Sequence, residues 1–161
     1  MKVAGAGAAR ALTRGPYSYR GDPSVPAFPD DRPLIVFDGF CALCSGWARF
    51  VLRRDHRKRF RLLPAQSALG RALYVHYGLD PETYETNILI EEGVAWFKSE
   101  GSIRMAQGLG RPWGLAAGVR VLPLRVRDWL YVGVARNRLA LFGKRETCYR
   151  AEPGTEDRFL A

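Results

Sequence analysis

At 161 residues, 47% of them hydrophobic, the chain holds enough apolar material for one packed domain without metal or disulfide staples. Its 25 Lys+Arg against 16 Asp+Glu give a net charge of +9, nearly all of it arginine. That charge suits nucleic acid, anionic lipid or an acidic protein equally, and no zinc-knuckle spacing, helix-turn-helix signature or interleaving of aromatic with basic residues converts it into a specific nucleic-acid site.

The 3 cysteines are too few, and odd in number, for a secreted disulfide framework, so the composition points to a reducing compartment and a cytoplasmic location. The first fifteen residues are weakly apolar and broken by glycines, which is poor for a secretory signal. The stretch Trp113 to Phe142 is interrupted by Arg120, Arg125, Arg127, Asp128, Arg136 and Arg138, so it supplies no transmembrane segment, while attachment to a surface stays open.

Residues 1 to about 31 are rich in Gly, Ala and Pro, with Pro16, Pro23, Pro26 and Pro29 opposing regular structure, and read as a flexible arm with little to bury. Leu34-Ile35-Val36-Phe37, bounded by Pro33 and Asp38-Gly39, reads as a central strand covered on both faces. From Cys41 to about Lys58, Leu43, Trp47, Phe50 and Val51 recur at helical spacing, with Arg53, Arg54, Arg57 and Lys58 gathered at the negative end of the dipole. Trp47 and Phe50 keep the spacing of a buried face and are assigned to the core, without a site role.

Phe60 to Leu63 reads as a second strand, and Ser67 caps a helix running to Gly78. Asn87 to Ile90 and Val94 to Phe97 form a hairpin across Glu91-Glu92-Gly93. Ser99 or Ser102 opens a further helix through Leu109, a short helical piece follows Pro112, and Pro123 to Phe142 forms a long helix closed by Gly143. The order is that of an α/β, thioredoxin-like domain over residues 32–148: a βαβ unit, a β-hairpin and a helical C-terminal part, followed by an irregular tail at 149–161.

A cysteine at a helix N-terminus meets unpaired backbone N–H groups, which favour thiolate over thiol and make Cys41 the expected nucleophile. Cys44, almost one turn on, stands where it can close a disulfide with Cys41, and a deeper position would keep it protonated until it resolves a mixed disulfide. A C-x-x-C pair placed directly after a buried strand needs no other cofactor for thiol-disulfide exchange. Asp38, three residues before Cys41, is a candidate acceptor for the Cys44 proton, or simply a turn residue before Gly39.

The same residues admit other readings. A zinc site would need partners beyond Cys41 and Cys44, and only Cys148, His56 and His76 are on offer, without a second C-x-x-C. A strand ending in Leu-Ile-Val-Phe-Asp also resembles aspartate-nucleophile phosphatases of the haloacid dehalogenase type, but Phe40 occupies the position of their second carboxylate. A non-catalytic basic binding module is the remaining alternative, and Arg49, Arg53, Arg54, Arg57, Lys58, Arg59 and Arg61 would then steer an acidic partner.

The run Val36-Phe37-Asp38-Gly39-Phe40-Cys41-Ala42-Leu43-Cys44 resembles the D-G-x-C-x-x-C signature of the DCC family of thiol-disulfide oxidoreductases, also catalogued as a domain of unknown function. Leu63-Pro64-Ala65-Gln66-Ser67, Ser99-Glu100-Gly101, Tyr131, Ala135-Arg136-Asn137-Arg138 and Phe142-Gly143 resemble later landmarks of that family, so the similarity spans about residues 33 to 148. The resemblance implies a thioredoxin-like fold and a redox enzyme acting on a disulfide or dithiol substrate with a further redox partner, with Asp38, Cys41 and Cys44 as the matching residues. It departs from thioredoxin in lacking a proline directly before Asn87-Ile88, and Glu100-Gly101 stand where Asp-Ala is expected. Cys148 would be a third redox thiol only if the tail folds back toward Cys41.

Overall fold

The computed structural model describes residues 14–160. Four short strands, β1 (Leu34–Phe37), β2 (Arg61–Pro64), β3 (Ile88–Glu91) and β4 (Val94–Phe97), form one sheet in the order β2-β1-β3-β4. β1 runs parallel to β2 and antiparallel to β3, and β4 returns antiparallel beside β3. The helices are α1 (Ala42–Arg54), α2 (Ala68–His76), α3 (Lys98–Gly108) and α4 (Leu124–Phe142), with a 3₁₀ segment at Trp113–Val121 between the last two. This βαβαββαα order with β1 inside the sheet is the expected thioredoxin-like arrangement.

The side-chain alternation of β1 divides the core. Leu34 and Val36 join Leu63, Ile88 and Ile90 against Leu69, Leu73 and Tyr74 of α2 and Tyr77 just beyond its end. Ile35 points the other way, to Val51 of α1 and Met105 of α3, while Phe37 packs with Ala48 of α1 and Leu62. Both faces are covered, which is why the strand reads as an unbroken apolar run.

Two boundaries differ from the sequence expectation for local reasons. Helix α1 ends at Arg54, short of Lys58, because Asp55 leaves helical geometry and turns its carboxylate to the Phe60 backbone N–H at 2.9 Å. Helix α3 is opened by neither serine. Its first residue, Lys98, has a φ of 51°, with its N–H on Thr86 Oγ1 at 2.9 Å, while Ser99 Oγ donates to Asp128 and Ser102 Oγ to the Lys98 carbonyl. Ser67 caps α2 as expected, accepting from Gly70 N at 3.0 Å. Gly101 has a packing reason: a Cβ there would lie 2.9 Å from the Trp96 carbonyl oxygen.

The N-terminal flank has more to bury than its composition suggests, and the irregular tail also packs on the domain. Tyr19 and Val25 belong to the α2-side core, and Tyr19 Oη donates to Asp30 at 2.7 Å. The remainder of the proposed arm, residues 1–13, lies outside the described residues. At the other end, Tyr149 packs on Phe37, Leu160 N donates to the Leu62 carbonyl at 2.9 Å, and Arg158 is buried with its guanidinium on Asp55 and on the Phe60 carbonyl. Tail, α1 terminus and β2 are thereby joined through one buried ion pair.

Removing one partner of such a pair strands a charge in the interior. Asp55→Ala is expected to lower stability in urea unfolding by about 3 kcal/mol or more, whereas the double variant Asp55→Ala, Arg158→Met recovers part of that loss. A change below about 1 kcal/mol in the single variant would show that the tail pair is not a structural tie.

Candidate active site

β1 delivers Asp38 and the turn Gly39-Phe40 to the start of α1, and Cys41 is the helix N-cap. Its sulfur takes the capping role that a serine oxygen would fill, accepting the Cys44 N–H at 3.3 Å. Cys41 and Cys44 are both free thiols, and the i, i+3 spacing places the second beside the first on one helix face.

The two sulfurs are driven apart in acidity. The Cys41 thiol is lowered to about 6, chiefly by the hydrogen bond from the Cys44 side chain; burial opposes this, and the Cys44 N–H and the Arg138 charge reinforce it. Cys44 is pushed far up because it is the donor in that bond and is itself buried. The two shifts run in opposite directions, so ionisation of the pair is favoured at Cys41.

Both cysteines are buried, with different surroundings. Cys41 is 0% exposed, whereas Cys44 is 8% exposed and lines a cavity of about 190 Å³. Cys41 is covered by the chain that leaves α4: Lys144 bridges to it, Ala42 N donates to the Gly143 carbonyl at 3.3 Å, and Arg145 N donates to the Phe40 carbonyl at 2.7 Å. Among the described residues Asp38 makes no hydrogen bond to either sulfur.

Asp38 instead builds the frame of the motif. Its Oδ1 accepts from Phe40 N at 3.0 Å and from Gln66 Nε2 at 2.7 Å, and its Oδ2 meets Arg138 Nη2 at 3.2 Å. Gln66 returns its amide oxygen to Gly39 N at 3.0 Å. Arg138, reaching in from α4, also donates to the carbonyls of Thr83, Tyr84 and Ala135 at 2.8, 3.0 and 2.7 Å. Both charged side chains are buried, so the pair sits in a low-dielectric setting within the field of both sulfurs.

The cavity beside Cys44 lies between α1, α4 and the loop before β3. Its walls include Leu43, Trp47, Tyr131 and Val134, with Thr86 and Asn87 at the strand entry and Arg138 at the base of the motif. Trp47, assigned to the core from sequence, is a wall of this cavity. It stands one position short of a full turn after Cys44, a signal that was present in the spacing.

Cys148 is brought back as well. Tyr149 N donates to the Gly39 carbonyl at 2.9 Å, Cys148 Sγ lies 3.8 Å from Gln66 Oε1, and a side chain at Gly39 would collide with that sulfur. Burial raises the Cys148 thiol, so it is not primed as Cys41 is. The basic run after α1 is not gathered here: Arg49, Lys58, Arg59 and Arg61 pair with Glu152, Asp157, Glu91 and Asp31, and Arg53 and Arg54 close the opposite end of α1 from the cysteines. His76 is buried on α2 between Asp22 and Ser18.

The sequence profile of the DCC1-like thiol-disulfide oxidoreductase family matches residues 35–144. A chloroplastic DCC family protein of Arabidopsis thaliana is 36% identical over 120 residues, covering 74% of this chain and 70% of its own. The uncharacterised protein YuxK of Bacillus subtilis is 33% identical over 127 residues, covering 79% and 93% respectively. No solved structure matches.

Since the thiolate at Cys41 leans partly on Arg138, its ionisation is measurable without access to the sulfur. Ultraviolet thiolate absorbance of the reduced protein is expected to titrate with a midpoint of about 6, and Arg138→Gln to move it upward. A folded value below the unfolded one stabilises the fold at high pH. The contribution is complete near the ordinary thiol value of 9.0, is lost as pH falls through about 6, and is opposed above that window by Cys44, which resists ionisation. An unchanged midpoint in Arg138→Gln would remove the arginine from this account.

Proposed function

The chain belongs to the DCC1-like thiol-disulfide oxidoreductase family, and from that premise we propose that it catalyses thiol-disulfide exchange through Cys41 and Cys44. The observation that carries the reading is the opposed acidity of two adjacent free thiols at a helix N-terminus, one lowered to about 6 and the other pushed up. In the reducing direction the Cys41 thiolate attacks one sulfur of a partner disulfide, forming a mixed disulfide and releasing the other sulfur as thiolate. Cys44 then gives up its proton, which ends on the released thiolate, and its sulfur attacks Cys41 Sγ. The second partner thiolate leaves, and two electrons have passed from the Cys41-Cys44 pair to the substrate. A second dithiol partner resets the pair, and no further cofactor enters.

Asp38 is better suited to positioning than to proton transfer, because its oxygens are already engaged by Phe40, Gln66 and Arg138. The same engagement argues against the phosphatase alternative, which needs an open aspartate and a second carboxylate where Phe40 stands. Four of the seven basic side chains on and after α1, Arg49, Lys58, Arg59 and Arg61, are ion-paired, which argues against a steering role for these four in a purely binding module.

The cavity narrows the substrate. Asn87 N–H, at the entry to β3, is taken by Tyr131 Oη at 3.4 Å, so that backbone donor is already engaged. The walls are mainly apolar, which favours a disulfide bearing a compact apolar group, from a protein side chain or a small molecule. No helix among the described residues is long and apolar enough to cross a membrane.

The 8% exposure of Cys44 into the cavity favours one competing order, with Cys44 as the first attacking sulfur. Trapping decides between them. With insulin or a glutathione mixed disulfide, Cys44→Ser is expected to accumulate a mixed disulfide on Cys41, and Cys41→Ser to lose turnover by at least a hundredfold, on the order expected for loss of an essential nucleophile. A mixed disulfide that accumulates on Cys44 in Cys41→Ser instead would establish the reverse order, and exchange unaffected by both changes would overturn the enzyme assignment.

A further inference from the structure

The large apolar side chains left exposed in this structure are concentrated in one part of it. Apart from Tyr17 and Val75, all lie between Leu115 and Phe142, on the 3₁₀ segment and α4. Leu115, Val121 and Trp129 are 80%, 89% and 74% exposed, so they project as knobs and do not line a groove.

Helix α4 is inverted relative to an ordinary surface helix. The residues it buries are Arg127, Ala135 and Arg138, and its charges are spent inward on Glu100 and Asp38. At 3.6 residues per turn, Val126, Trp129, Leu130 and Leu141 fall on one outward side, with Arg125 and Arg136 at its edge, three turns apart. Among the described residues no carboxylate pairs with Arg111, Arg125 or Arg136, and the sole acid between residues 101 and 145 is Asp128, which is held by Ser99.

We propose that the 3₁₀ segment and α4 form a docking surface for an anionic lipid bilayer, with the apolar knobs entering the interface and the arginines meeting lipid headgroups. Protruding aliphatic side chains, an outward tryptophan and uncompensated basic residues are the chemistry of an interfacial helix, and isolated knobs need no shaped socket. A second copy fits less well, because self-association would bring the same unpaired arginines together. The first thirteen residues fail the same charge criterion, since they contain Lys2 and Arg10 and no acid. The surface stands independently of the redox reading, although Val134 belongs both to it and to the wall of the cavity beside Cys44.

The test is cosedimentation of the full reduced chain with vesicles of phosphatidylcholine alone or with a third phosphatidylglycerol, in low and high salt. Binding is expected to the anionic vesicles only and to weaken with salt. Trp129→Glu and the pair Arg125→Glu, Arg136→Glu should each reduce it on the order of tenfold or more, while thiol exchange in solution is unchanged. Conservative Trp129→Phe should retain most of the binding, which guards against a folding artefact. Equal binding to neutral vesicles, absence of binding, or a dimer in light scattering that Trp129→Glu dissolves would each overturn the bilayer assignment.

Discussion

The buried pair between Asp38 and Arg138 is the interaction on which the site depends. Asp38 ends the central strand and Arg138 sits late on the last long helix, so the 3.2 Å contact ties the two ends of the recognised domain at the cysteine turn. The arginine also satisfies two carbonyls of the loop before β3. Isolated, either charge would be costly in this interior; together with the Gln66 amide and the Phe40 N–H they form a network in which nearly every polar atom is matched. Arg138 Nε is the exception, buried without a hydrogen-bond partner among the described residues.

That network places a positive charge near a sulfur without placing a base on it. Cys41 gains from the arginine and from the helix terminus, whereas Asp38 works weakly against both thiols ionising. The balance selects a single thiolate, because the second proton is retained by the hydrogen bond that stabilises the first anion. Separation of roles within a chemically identical pair thus comes from the capping geometry of α1 and needs no additional acid or base.

The strands and the first two helices were legible because their signals are local. Four apolar residues between Pro33 and Asp38 identify a two-sided strand, and Ser67 announces α2 by a bond three residues long. The cysteine pair was legible for the same reason. What the sequence did not disclose depends on partners distant in the chain: Asp55 ends α1 in order to hold Arg158, and Tyr19 finds a core that its own proline-rich segment does not suggest. Arg138 stood in a recognised landmark, but nothing local connects it to Asp38. The covering of Cys41 was not legible either, because the segment that lies over it arrives from beyond α4.

Helix α4 shows why periodicity alone misassigns an element's inner face. An apolar stripe at helical spacing is ordinarily read as the side that packs, yet here the packing side is selected by two arginines with carboxylates waiting for them in the domain. Their transfer into the interior is offset by Glu100 and Asp38, each already held by other donors, so the fold fixes the rotation of the helix electrostatically. Turning it to bury Trp129 and Leu130 would take Arg127 from Glu100, which keeps Arg104 and Arg120, and Arg138 from Asp38, which has no other charged partner. The contact that holds the apolar side outward at the late turns of α4 is therefore also the one that frames the redox turn.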